Sequence, residues 1–195
     1  MKASTSLQGR VISTVFCCTC LIGSVPAMAG LIGTTAILDP YYQETPEGEI
    51  WRLDEPLTAV VTEEIEFPCL NCLVDGFVEA SIDVGDDYFE SVFAGRARVG
   101  PGYKNFLELS FEASPPIEIL SAELDPVTTL DVSPSNISIA GNKLIIDVSH
   151  GPLYDPGTIL RINLSTQTVP EPSALLLIAV ITPFCTYGFY RRNRR

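Results

Sequence analysis

Leu107-Glu108-Leu109-Ser110-Phe111-Glu112 sets an apolar side chain at every second position and a polar one between them. A period of two belongs to a β-strand with one buried face and one wet face, and a helix cannot gather that set on one side. Phe77 to Val84 repeats it, with Phe77, Glu79, Ser81 and Asp83 set against Val78, Ala80, Ile82 and Val84. Short runs rich in Val, Ile, Phe and Tyr follow the same style at 57–62, 88–94, 106–111, 117–123, 137–140, 144–148 and 158–164. Gly, Pro, Asn and Asp separate them. Gly141-Asn142, between two such runs, predicts a tight hairpin turn that needs positive φ. The stretch from Gly30 to Glu55 contains Pro40 and Pro46, with Pro56 just beyond, and reads as an edge strand plus an irregular lead-in. No segment of the region has long helical spacing. Eight or nine strands with a turn signal about every 8–12 residues predict an all-β, antiparallel β-sandwich, with jelly-roll and immunoglobulin-like topologies both open.

The ends obey different rules. Met1 to Arg10 carries Lys2 and Arg10 and no acid, and Val11 to Val25 is uncharged and mostly apolar. Ala27-Met28-Ala29 then supplies an A-x-A cleavage site, which completes a secretory signal peptide over residues 1–29. The apolar run is short for a membrane span. The expected partners of this end are the Sec machinery and signal peptidase. Cleavage after Ala29 leaves an exported segment, residues 30–168, with 23 acidic residues against six basic ones, a net charge near −17. Such a surface repels nucleic acid and anionic lipid. A single domain of this length buries enough surface to fold without staples.

At the other end, Ala174 to Tyr190 has no charged residue. As a helix at about 1.5 Å per residue it covers about 26 Å, close to the roughly 30 Å of a bilayer core. Tyr187 and Tyr190 suit the membrane interface, and Arg191, Arg192, Arg194 and Arg195 supply a positive cytoplasmic end. The topology is consistent, with the domain outside and the arginines inside. Val169-Pro170-Glu171-Pro172, a short apolar segment and a terminal arginine cluster together resemble the PEP-CTERM protein-sorting domain of Gram-negative and related bacteria. The resemblance covers residues 169–195. It implies recognition of Pro170, Glu171 and Pro172 by an exosortase, retention through Arg191, Arg192, Arg194 and Arg195, and a destination at the cell surface or in an extracellular matrix, often alongside exopolysaccharide. Two prolines also hold the backbone extended and accessible to a processing enzyme.

Within the exported segment the chemistry-bearing residues are few. Cys69-Leu70-Asn71-Cys72, in an oxidising compartment, predicts a disulfide between Cys69 and Cys72. A redox site would need a βαβ setting, and a zinc site would need two further ligands. His150, the one histidine of the chain, lacks a nucleophile turn to serve and reads as a surface or capping residue. Asp83, Asp86 and Asp87 gather carboxylates on one turn and form a weak calcium site, without the residue order of an EF-hand; a solvated acidic turn is the favoured reading. Asn136-Ile137-Ser138 and Asn163-Leu164-Ser165 match the N-glycosylation pattern by coincidence in a bacterial chain. With no nucleophile, metal set or cofactor loop, the expected function is that of a non-enzymatic surface or matrix protein whose sandwich contacts a polymer or another surface. The alternative is a secreted polysaccharide-active enzyme, a glycosidase or lyase, on the same sandwich.

Overall fold

The computed structural model describes residues 28–73, 78–96, 102–148 and 154–169. Ala27, His150, the tripeptide Pro170-Glu171-Pro172, the expected span 174–190 and the terminal arginines lie outside these residues. Among the described residues, no helix is long and apolar enough to cross a membrane.

Among the described residues, ten strands form two antiparallel sheets. One sheet contains β1 (Thr35–Gln43), β2 (Trp51–Arg52), β3 (Leu57–Val60), β6 (Lys104–Glu112), β8 (Ile137–Ala140) and β9 (Lys143–Asp147). Its order is β2-β1-β6-β9-β8, and β3 lies beside β2 along the same edge of β1. The other sheet contains β4 (Ala80–Val84), β5 (Tyr88–Phe93), β7 (Ile117–Leu124) and β10 (Ile159–Thr168), in the order β4-β5-β10-β7. A one-turn helix, α1 (Leu70–Leu73), stands between β3 and β4. The two-sheet, all-β architecture is the one the alternating pattern demands.

The alternation decides which side chains meet. Leu109, Phe111, Leu144 and Ile146 leave water from one sheet, and Ile82, Val84, Phe89 and Ile162 from the other, all into one hydrophobic cluster. Each such side chain contributes about 1.5–3 kcal/mol by leaving water. The hairpin β8–β9 turns at Gly141-Asn142, with Ala140 opposite Lys143. Only Gly141 of the pair has positive φ, at 65°, the pattern of a type II′ turn.

Two strands depart from the sequence expectation. The stretch expected to give an edge strand gives β1, an interior strand paired with β6 along its whole length, from Thr35↔Glu112 to Gln43↔Lys104. Its other side is paired by β3 at residues 35–38 and by β2 at residues 41 and 42. Pro40 falls in the interval between them. Its carbonyl accepts from Leu53 N–H at 2.9 Å on that side, so its missing donor also points there, where no strand needs it. The second departure is β10, which runs on to Thr168 through the polar stretch Ser165-Thr166-Gln167-Thr168. Pairing with β7 holds that stretch, across a register shift at Ser165/Thr166, and it carries Thr166 into the interior, 2% exposed.

Candidate functional site: the shared exit at the end of the last strand

The C-terminal half of β10 organises both ends of the described chain. On one side β7 pairs with it as Thr166↔Ile119, Gln167↔Glu118 and Thr168↔Ile117. Gln167 Nε2 also donates to Glu118 Oε2 at 3.1 Å. The ladder ends when Val169 N–H donates to Pro116 O at 2.7 Å. The next residue is Pro170, which has no N–H to continue it. The expected recognition tripeptide begins immediately after Val169, the last of the described residues.

On the other side of β10, beyond the reach of β5, lies the N-terminal segment. Met28 pairs antiparallel with Gln167, and Ala29 N–H donates to Thr166 O at 3.1 Å. The buried Thr166 hydroxyl donates to Ala29 O. Leu31 is fully buried, and its N–H reaches Asp86 O at 3.0 Å. Ile32 N–H reaches Asp86 Oδ1 at 3.2 Å. A Cβ at position 30 would stand 2.0 Å from that same carboxylate oxygen, so glycine is what lets the segment lie so close. Ala29, expected at the signal cleavage site, and Val169, the residue before the expected tail site, therefore both lie at the C-terminal end of β10.

A groove of about 580 Å3 opens beside this exit. Its apolar walls come from Phe111, Ala113, Pro116 and Ile117, and Glu112 and Glu118 contribute carboxylates. Val169 itself lines the groove and is 38% exposed. Asn142, from the hairpin turn, donates through Nδ2 to Phe111 O at 2.6 Å and fixes that turn against the end of β6.

The outer face of the six-stranded sheet carries a second arrangement. Asp39 and Glu108 stand directly opposite each other on β1 and β6, where two bare carboxylates would repel. Each has its own cation. Arg52 Nε lies 2.9 Å from Asp39 Oδ1 but is poorly angled for a hydrogen bond, whereas its Nη2 donates to Asp39 Oδ2 at 3.3 Å. Lys143 bonds Glu108, and that bond, followed by the nearby charge of the same carboxylate, raises the Lys143 pKa. Tyr41 and Phe106 stack alongside with ring centroids 5.0 Å apart. The result is a pair of half-buried stacked rings beside two ion pairs.

Asp83, Asp86 and Asp87 are put to separate uses. Asp83 Oδ2 accepts from the Tyr88 hydroxyl at 2.8 Å, which pushes the Tyr88 pKa up to about 12. The Arg161 guanidinium lies 3.8 Å from the centre of the Tyr88 ring and bonds Glu90 at 3.1 Å. Asp86 anchors the N-terminal segment, and the carbonyl of Asp87 accepts from Leu164 N–H at 2.7 Å. Among the described residues, no three His, Cys, Asp or Glu side chains are grouped to hold a metal ion. Cys69 and Cys72 are joined in a disulfide across α1, with Cα atoms 5.3 Å apart, and Leu70 between them is buried. Asn163 is engaged by Asp125 and Asn136 by Ser133.

Asp39, Tyr41 and Arg52 belong to the stretch whose sequence reads as an edge strand plus an irregular lead-in, and nothing there singles them out. The signal of a strand was there, since Asp39, Tyr41 and Gln43 alternate with Leu38, Pro40 and Tyr42, but Pro40 masked it. No family model, curated protein or solved structure matches this chain.

Proposed function

We propose that the chain is an exported bacterial protein of the cell surface or extracellular matrix, sorted and processed by an exosortase through Pro170, Glu171 and Pro172. In this reading residues 1–29 are the signal, residues 174–190 form the span, and the sandwich is a non-catalytic domain that contacts polymer. The observation that carries the reading is the shared exit on β10. Before residues 1–29 are removed the domain is held to the membrane at both ends, which suits a fold in which Met28 and Val169 flank the same strand terminus. Only residues 169–173 separate β10 from Ala174, a reach of at most about 18 Å, so the exit faces the membrane before processing. The half-buried Tyr41–Phe106 pair lies on a sheet face instead.

Fractionation of the producing bacterium tests this. The full chain is expected first in the membrane fraction and then, shortened, at the surface or in the matrix. Recovery of unshortened chain in the cytoplasm contradicts the reading.

The opposed carboxylates Asp39 and Glu108 favour one other reading, a polysaccharide-active enzyme, because such enzymes work with two carboxyl groups. Both carboxylates are, however, engaged by cations. A panel of polysaccharides separates the readings: binding without product release supports polymer contact, and release of shortened chains supports the enzyme.

A further inference from the structure

We propose that the groove beside the end of β10 is a docking site for the chain's own tripeptide, Pro170 to Pro172, which rests there whenever the domain is folded. The sequence sets the shape of that segment. Prolines at 170 and 172 fix φ, and Val169 and Glu171, each preceding a proline, are pushed out of the helical region. Four consecutive residues are thereby confined to an extended, polyproline-like course, which repeats every three residues. Val169 and Pro172 therefore share a face. Val169 already lines the groove, and its N–H is pinned to Pro116 O at 2.7 Å.

Pro170 cannot extend the ladder with β7, so the chain leaves the sheet edge where the apolar walls of Phe111, Ala113, Pro116 and Ile117 begin. Pro172 then arrives on the wall that Val169 occupies. Glu171 lies on another face of the threefold course and stays in water, kept from turning inward by the like charges of Glu112 and Glu118. The space, about 580 Å3, falls in the range of about 300–1,000 Å3 typical of sites that hold small ligands. The consequence concerns access. Whichever enzyme reads the tail, it reads only the undocked fraction, so folding of the domain slows recognition of the tripeptide.

A post-proline endopeptidase tests docking without calling on any sorting enzyme. Its cuts after Pro170 and Pro172 are followed by mass in the full chain in detergent micelles and in a free peptide of residues 168–176. The full chain is expected to be cut at least about tenfold more slowly than the peptide, because proteolysis follows the open population. Ala113→Glu, which puts bulk and charge into the groove, restores the rate of the peptide while leaving the melting temperature of the domain in place. Val169→Asp, at an exposed position, gives the same restoration should Ala113→Glu fail to fold. Full chain and peptide cut at equal rates would overturn the proposal. So would protection that persists in both variants, since the micelle rather than the groove would then be the shield.

Discussion

Tyr88 shows how one outward-facing side chain carries charge information across a sheet. Its hydroxyl donates to Asp83, and ionisation would replace that bond with repulsion, hence a pKa of about 12 against an ordinary value of 10.0. A folded-state pKa raised above the unfolded one means that the contribution to stability is whole below about pH 10 and lost as pH climbs towards 12. Burial also raises the Tyr154 pKa, so ultraviolet titration of the folded protein should show a late tyrosine step that shrinks in Tyr88→Phe, as Tyr88's share is lost, and moves in part to lower pH in Asp83→Asn. An unchanged curve in Asp83→Asn would remove the hydrogen bond as the cause. The pair Cys69–Cys72 makes a second prediction at this scale. Thiol labelling before reduction, mapped by peptide mass, should leave both cysteines unmodified in native and in denatured protein. Reduction should cost little compared with the roughly 3 kcal/mol expected for a 15-residue loop, because the ring it opens is very short.

At the scale of elements, β10 and the segment that flanks it depend on each other. The Thr166 hydroxyl is buried and donates to Ala29 O, so a chain that begins at Gly30 removes its acceptor. An otherwise identical chain beginning at Met28 should be more stable, by about 1–3 kcal/mol if the hydroxyl finds no new partner. Denaturant midpoints of the two chains measure the difference, and coincident midpoints would mean that water replaces Ala29 without cost. The same elements show what could be read beforehand. The strands with clean alternation, such as β6 with Leu107, Leu109 and Phe111, were legible because burial on one face writes itself into the sequence at period two. The extension of β10 through Ser165 to Thr168 was not, since polar residues enter a strand there on the strength of their neighbour β7. β1 was hidden by Pro40, whose cost disappears only once the interval between β2 and β3 is known. The cysteine pair was legible as a motif. The groove was not, because Phe111, Ala113 and Ile117 become neighbours of Val169 only through the pairing of β7 with β10.

For the whole molecule the decisive arrangement is that two distant parts of the sequence meet at the end of β10, where Met28 pairs antiparallel with Gln167. The acidic body, near −17 over residues 30–168, has little attraction for an anionic membrane surface, so the proposed function gives attachment to the ends rather than to the domain. The account stands on the tail being read and processed. Replacing Pro170, Glu171 and Pro172 together by alanine, and weighing the chain recovered from the producing bacterium, tests that most directly. The natural sequence should yield a shortened, surface-associated form and the triple variant a longer form held in the membrane; identical masses for the two would contradict the account.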